Sequence, residues 1–153
     1  MKRLAVLWLA MLAAAPLRAR AGTAGVTFYV QLIRGTDDAT PPAANAQPAG
    51  PALCRRLQMF KWKNYWEVER RTVVLDAGGK SRLRMTPHRE VEIVLSTPRE
   101  MVVSIYADGK LTRRGTQAVE SAFYIAGGDS EPAQSWFIVV RRDKPPGTQA
   151  RLN

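Results

Sequence analysis

About eight short segments of this chain have the composition of β-strands, and turn-forming residues separate most of them. In the first, residues 26–34, four apolar side chains fall on one face of an extended chain: Val26, Phe28, Val30 and Leu32. Because successive side chains of a strand point to opposite faces, this period of two predicts a core strand. About eight short strands in roughly 110 residues predict an all-β fold, a single antiparallel β-sandwich, with a small β-barrel as the alternative.

Seven further segments are predicted to be strands: residues 65–75, 81–86, 90–96, 101–107, 110–114, 122–126 and 135–142. At most one short helix is expected, over residues 51–60, where three apolar residues recur at spacings of four and three: Leu53, Leu57 and Phe60. Residues 35–52 are rich in proline, alanine and small polar residues. They predict an exposed Pro-rich loop, because proline fits poorly into helices and ladders and the segment can bury little.

The start of the chain, residues 1–21, predicts an export signal. Lys2 and Arg3 precede an apolar run at residues 4–17, and Ala19-Arg20-Ala21 has the small-x-small form of a cleavage site. A membrane-spanning helix needs roughly 20 apolar residues, and this run is shorter. Cleavage is therefore the preferred interpretation and anchoring the alternative. The mature chain is then expected in the bacterial envelope, periplasmic or secreted.

Removal of residues 1–21 leaves residues 22–153, which are enough for one domain. Residues 22–143 are predicted to form the sandwich and residues 144–153 a flexible tail. The formal charge falls from +10 to +6, because four of the 23 basic residues belong to the signal. An excess of this size suits an anionic partner such as a membrane surface, an acidic polysaccharide or nucleic acid. Acidic residues interleave with the basic ones, so a mixed solvated surface is preferred and nucleic acid is not expected.

Cys54 is the single cysteine, so no disulfide can form within the chain and the fold depends on its core. In an exported protein such a thiol is either buried and inert or joined to another chain. Its apolar neighbours favour the inert interpretation.

One predicted strand carries three possible metal ligands on one face: His88, Glu90 and Glu92. A three-residue hairpin loop at residues 86–88 instead predicts three cross-strand pairs: Arg84 with Glu90, Arg82 with Glu92, and Leu83 with Val91. Opposite charges that face each other across a hairpin stabilise a sheet, and arginine neighbours repel a divalent cation. We therefore expect a charge ladder here, with no metal ion and no cofactor.

No motif of catalysis is present in the sequence. His88 is the only histidine, and no G-x-S-x-G pattern accompanies it. Gly79-Lys80-Ser81 resembles the end of a phosphate-binding loop, but the glycine required five positions earlier is Val74. Residues 127–132 are interpreted as a turn rather than as a calcium loop.

Residues 60–71 crowd aromatic rings and charges into one segment. In an extended chain one face carries Trp62, Asn64, Trp66 and Val68, and the other carries Lys63, Tyr65, Glu67 and Glu69. One interpretation is that Trp66 and Val68 anchor the core. The other keeps a ring exposed for stacking on a sugar or for anchoring a protein partner. The candidate binding residues are then Trp62, Lys63, Asn64 and Tyr65.

The sequence predicts a non-enzymatic binding or interaction module of the bacterial envelope, with an envelope protein or a glycan as its partner. Its expected contact surface includes Trp62, Tyr65 and the Pro-rich loop. The alternative is a small hydrolase that acts on an envelope or extracellular polysaccharide, with carboxylates gathered from separate strands. A subunit of an envelope assembly, which contacts its neighbours through the N-terminal strand or the basic segment 141–144, is a third possibility.

Overall fold

The computed structural model describes residues 25–121 and 123–146, so the predicted export signal and residues 147–153 of the predicted tail lie outside the described residues. Nine strands are present in those ranges: β1 Val26–Thr36, β2 Gln47–Pro48, β3 Asn64–Leu75, β4 Lys80–Thr86, β5 Arg89–Thr97, β6 Glu100–Ala107, β7 Lys110–Ala118, β8 Tyr124–Glu131 and β9 Gln134–Arg141. Sheet A has the order β2-β3-β1-β9-β8, and sheet B has the order β4-β5-β6-β7. Both are antiparallel and they do not close into a barrel, so the predicted β-sandwich is confirmed and the barrel alternative is wrong.

The core between the sheets is built on the alternation that the sequence predicted for β1. Phe28, Val30 and Leu32 are all buried in it. Three residues of the neighbouring strand β9 join them: Trp136, Ile138 and Val140. Sheet B contributes mainly aliphatic side chains of β5 and β6: Val91, Ile93, Leu95, Met101, Val103 and Ile105. This cluster between the two sheets is called the inner core below.

The opposite face of sheet A is also buried, because a short helical segment covers it. Helix α1 (Pro51–Leu57) continues into a single 3₁₀ turn, Gln58–Phe60, and residues 51–60 are called the helical cap below. A second cluster of buried residues in the described chain forms the outer core: Ile33, Ala49, Leu53, Leu57, Tyr65, Phe137 and Val139. The predicted short helix is confirmed, and it adds a third layer to the two sheets.

The sequence explains where the helical cap begins and ends. Pro51 stands at the first helical position, where its fixed φ suits a helix and its missing N–H would have no partner in any case. Leu53 and Leu57, one turn apart, are both completely buried against sheet A. The 3₁₀ turn ends at Lys61, which has a left-handed φ of 66° and redirects the chain toward β3.

Hairpin β4–β5 has all three predicted cross-strand pairs: Arg82 with Glu92, Leu83 with Val91, and Arg84 with Glu90. The predicted three-residue loop is wrong, because Thr86 already pairs with Arg89 and only positions 87 and 88 remain between them. A bulge just before Thr86 holds the extra residue, Met85, whose side chain is buried in the inner core. The bulge therefore reconciles the shorter loop with the predicted register.

Two turn predictions had different outcomes. Asp108 and Gly109 form the predicted two-residue turn between β6 and β7, and both have positive φ angles, 49° and 76°. The predicted turn at residues 127–132 is wrong, because β8 runs on to Glu131 with an irregular register after Gly127. At Gly127 a Cβ atom would lie 2.3 Å from the carbonyl oxygen of Trp136. The glycine therefore marks a close approach of two backbones within the sheet, not a chain reversal.

The predicted loop and tail both contribute to the domain more than expected. β1 continues to Thr36, and Gln47 and Pro48 pair with β3 as a two-residue edge strand, where proline is tolerated. The loop residues 37–45 are exposed, as predicted. In the segment assigned to the tail, Pro145 is buried, and the carbonyl oxygen of Pro146 accepts a hydrogen bond from Arg70 at 3.2 Å. Pro145 therefore packs on the sandwich, and the hydrogen bond from Arg70 holds the backbone of Pro146 beside it.

Candidate functional site

Tyr65, one of the predicted binding residues, is buried. Its side chain is 8% exposed and lies in the outer core, with its ring centre 6.2 Å from that of Phe137. Its hydroxyl donates a hydrogen bond to the carbonyl oxygen of Leu57 at 2.6 Å, and burial raises the pKa of Tyr65. The expectation of an exposed ring at Tyr65 is therefore wrong, because the helical cap covers this face of β3. The residue instead ties β3 to the end of α1.

Trp62 is half-buried at the corner between the helical cap and β3. Its indole packs against the outer core and lies directly on the backbone of Gly35, where a Cβ atom would be 2.5 Å from Trp62 Cδ1. Glycine at position 35 is thus required by the close contact with this ring. Because Trp62 and Tyr65 both hold the helical cap in place, substitution of either by alanine is expected to loosen it, contrary to the sequence-based expectation of an intact fold.

Lys63 and Asn64 connect the start of β3 to the loop that follows β1. The backbone N–H of Lys63 donates to Asp37 Oδ1 at 3.2 Å, and Asn64 Nδ2 donates to the carbonyl oxygen of Asp38 at 3.1 Å. Asn64 is half-buried, whereas the side chain of Lys63 is exposed. Of the four predicted binding residues, Lys63 therefore has the side chain most available to a partner.

The solvent side of the helical cap carries an apolar tip among basic residues. Met59 is 76% exposed and Phe60 is 37% exposed, the latter with its ring centre 4.7 Å from that of Phe137. Four basic side chains on the cap and just after it are exposed: Arg55, Arg56, Lys61 and Lys63. None of the four forms an ion pair within the described residues. These four residues and Met59 are called the basic cap surface below.

The basic cap surface belongs to a long stretch of sequence that contains no acidic residue. From residue 39 to residue 66 the chain has no aspartate or glutamate, and its only charged residues are those four bases. The nearest acidic groups in sequence are Asp38 and Glu67, and Glu67 is paired with Arg70 at 2.8 Å. Sequence analysis found the aromatic neighbours of this region but missed the lack of acids, which is readable from the sequence alone.

A cleft of about 520 Å³ adjoins the helical cap beside β8. Its lining combines residues of the cap, of β7, of the β7–β8 connection and of β8: Arg56, Gln117, Ser121, Phe123 and Ile125. The guanidinium carbon of Arg141 lies 4.5 Å from the ring centre of Phe123, and Asp143 pairs with the same guanidinium. That hydrogen bond from Arg141 lowers the pKa of Asp143. The described part of the cleft is therefore lined by an arginine and by partly buried apolar side chains. An ion pair whose opposite charges cancel lies beside it.

A second cleft, of about 340 Å³, lies between the sheets near the β4–β5 turn. Arg34, part of its lining, is flanked across the strands by Trp66 and Trp136, and the guanidinium carbon of Arg89 is 4.4 Å from the ring centre of Trp136. Three buried nitrogen atoms here have no hydrogen-bond partner among the described residues: Trp66 Nε1, Trp136 Nε1 and Arg89 Nε. Because these atoms are enclosed, they do not line an open binding surface.

The predicted charge ladder is present on the outer face of sheet B. Glu90 accepts hydrogen bonds from Arg82 at 2.8 Å and from Arg84 at 3.2 Å, and these bonds lower the pKa of Glu90. Arg82 thus binds Glu90 diagonally, although Glu92 is its direct partner in register. His88 Nδ1 lies 2.8 Å from Asp108 Oδ1 in an exposed pair. No group of three potential metal ligands occurs within residues 25–121 and 123–146.

Cys54 lies on α1 at the edge of the outer core. Its thiol is half-buried and donates a hydrogen bond to the carbonyl oxygen of Ala49 at 3.3 Å. Burial raises the pKa of Cys54, so the reactive thiolate is less populated than in an exposed cysteine. This environment agrees with the inert interpretation drawn from its apolar neighbours.

Together these features define an all-β sandwich whose five-stranded sheet bears a basic helical cap. Comparisons of the chain with protein-family models, with curated proteins and with solved structures found no match. In the part of the chain that the structure describes, neither the length nor the apolar character of any helix reaches that of a membrane span. The functional conclusion therefore depends on the surface chemistry of the described residues.

Proposed function

We propose that this protein is a non-enzymatic binding module of the bacterial envelope that contacts an anionic partner through its basic cap surface. The observation that carries the proposal is that four exposed cations flank exposed Met59 in sequence, within residues 55–63 of the acid-free stretch 39–66. Surfaces dominated by one sign of charge attract partners of the opposite sign and accelerate their encounter. The predicted export signal supports a partner in the envelope.

The packing below the cap supports the same proposal. Leu53 and Leu57 anchor α1, Phe60 stacks on Phe137, and the Tyr65 hydroxyl binds the last carbonyl group of α1. The exposed side chains are thus presented from a helical segment that is packed on sheet A in the folded domain. In this proposal Tyr65 and Trp62 position the contact surface, and Lys63 belongs to it.

The hydrolase alternative receives no comparable support from a specific site. Glu90 is bound by Arg82 and Arg84, and these hydrogen bonds lower its pKa. The general acid of a glycosidase instead needs a raised pKa. We therefore develop the binding module only.

The test compares two charge reversals of equal size on the mature chain. Lys61→Glu with Lys63→Glu changes the basic cap surface, and Lys80→Glu with Lys110→Glu makes the same change at exposed residues of sheet B. Each purified protein is mixed with isolated envelope fractions and the bound share is measured by sedimentation at two salt concentrations. We expect the cap variant alone to lose binding, and binding by the unchanged protein to fall with salt. Equal binding by both variants would refute the proposed contact surface.

A further inference from the structure

We infer that the anionic partner of the basic cap surface is the headgroup layer of a lipid bilayer, on which the folded domain docks without spanning it. This inference rests on the proposed function and names its partner. Its starting point is the juxtaposition of an exposed apolar tip, Met59, with four exposed cations on one short segment. Segments that bind at bilayer interfaces combine these two features, because the apolar side chain enters the acyl boundary while the cations contact anionic headgroups.

The position of Met59 gives the tip its prominence. It lies in the 3₁₀ turn between Gln58 and Phe60, at the end of the helical cap, and its side chain is 76% exposed. Lys61 turns the chain back toward β3 with a left-handed φ of 66°. The apolar side chain therefore stands at a reversal of the chain, with Lys61 and Lys63 following it and Arg55 and Arg56 preceding it in the sequence.

The same residues do not offer the ring that a glycan would need. Sugar stacking requires the free face of an aromatic side chain, but Tyr65 is buried, and Trp62 lies on the backbone of Gly35. Phe60 is itself packed against Phe137 with ring centres 4.7 Å apart. The rings of this region are therefore used by the fold, which removes the basis for the glycan partner predicted from the sequence.

A protein partner fits the surface less well than a bilayer. The centre of a protein interface is depleted in lysine and is anchored by rigid aromatic side chains. Here two of the four cations that flank Met59 in sequence are Lys61 and Lys63, whereas Met59 itself and the two arginines suit either kind of partner. Headgroups do not require fixed shape complementarity, and each lysine or arginine near an anionic bilayer strengthens binding about fivefold.

Vesicle sedimentation of the mature chain tests the inference. Vesicles of phosphatidylglycerol and phosphatidylethanolamine are compared with vesicles of phosphatidylcholine alone, at low and at high salt. We expect binding to the anionic vesicles only, with a loss on raising the salt. Lys61→Gln with Lys63→Gln should weaken it by about 25-fold, or about fivefold for each cation, while Lys80→Gln with Lys110→Gln leaves it unchanged.

The apolar tip has its own pair of variants. Met59→Ser should weaken vesicle binding by about tenfold, because its exposed side chain no longer enters the acyl boundary. Leu111→Ser removes an exposed side chain of comparable size from β7, 52% exposed, and should have no effect. Circular dichroism of each variant checks that the fold is retained.

The outcomes separate this inference from the proposed function. Absence of binding to anionic vesicles, together with cap-dependent binding to envelope fractions, would overturn the lipid inference and leave the proposed function standing. If the protein binds vesicles but the cap variants and the control variants weaken that binding equally, docking through the basic cap surface would be overturned. Failure of the cap variants to differ from the controls in both assays would overturn both proposals.

Discussion

The two faces of sheet A are covered in different ways. Its inner face meets a complete second sheet, and in the described chain the inner core has more than twice as many buried residues as the outer core. Its outer face is covered mainly by the helical cap. The strands of sheet B are held by their own ladders, whereas the cap relies on side-chain packing and a few hydrogen bonds such as that from Tyr65. We infer that the cap can open locally while the sandwich stays folded.

The comparison shows why sheet A requires the helical cap as a third layer. In β9 residues 136–140 are all apolar, so both faces of this strand must be buried. The same holds for β1, where Leu32 faces the inner core and Ile33 the outer core. A continuous apolar run therefore indicates a strand between two layers, whereas strict alternation indicates one covered face.

The largest expected difference between the two faces comes from neighbouring residues of β1. Leu32→Ala should reduce the free energy of unfolding by about 4 kcal/mol, because two hydrogen-bonded sheets cannot close around the cavity. Ile33→Ala should cost about 2 kcal/mol, because the helical cap can shift to fill part of the space. Urea unfolding of both variants measures the two values. Equal losses would show that the cap is as rigid as sheet B.

A smaller effect is expected from Tyr65→Phe, which removes the hydrogen bond to Leu57 and keeps the ring. The loss should be about 1 kcal/mol. Because Cys54 is the single cysteine and lies on α1, the rate at which a thiol reagent labels it reports cap opening, and this rate should rise about fivefold. Tyr106→Phe, on the outer face of sheet B, is the matched control and should leave the labelling rate unchanged. Labelling that occurs only on global unfolding would contradict a separately opening cap.

The outer face of sheet B carries a charge ladder, whereas the outer face of sheet A carries the helical cap. The ladder's contribution to the stability of the fold should be smaller still. Arg82 and Arg84 lower the pKa of Glu90 in the folded state. Their contribution to the stability of the folded state is therefore present above the ordinary pKa of glutamate and is lost as the pH falls through the lowered pKa. The urea midpoint should therefore fall on acidification less steeply in Glu90→Gln than in the unchanged protein. An identical acid dependence would show that the ladder adds nothing to stability.

The smallest effect on stability is expected at the exposed side of the cap. Met59→Ser and Lys61→Gln should each change the free energy of unfolding by less than about 0.5 kcal/mol, because neither side chain is buried. Thermal and urea unfolding provide the measurement. A loss comparable to that of Ile33→Ala would mean that these residues support the outer core, and effects of the same variants on binding would then need another explanation.

Most of the architecture was predictable from local sequence. The alternation in β1, the Asp108-Gly109 turn and the opposite charges of β4 and β5 are local signals, and each had the predicted outcome in register or position. The bulge at Met85 and the close approach at Gly127 were not predictable, because each depends on a neighbouring strand. Strand order depends on pairings between distant segments, which no local pattern specifies.

The candidate site was predicted only in part. The segment around Trp62 was singled out as unusual, but its composition left open whether the rings pack in the core or remain exposed for binding. Whether Tyr65 is exposed depends on the cap lying over β3, and that contact joins elements whose relative position the sequence does not specify. The absence of acids from residues 39–66 was readable without a structure, and it points to the exposed side of the same segment.

The strand order of sheet A has a consequence for the time course of folding. β1 is the first strand of the described chain, yet it lies between β3 and β9, and Val30 pairs with Val140. While the chain is being synthesised, β1 has only one possible neighbour in sheet A until β9 emerges near the end. Contacts between such distant segments form slowly, because a long loop has to be closed first. A nascent chain of this order stays without the β1–β9 pairing until Gln134 and the residues after it have been synthesised.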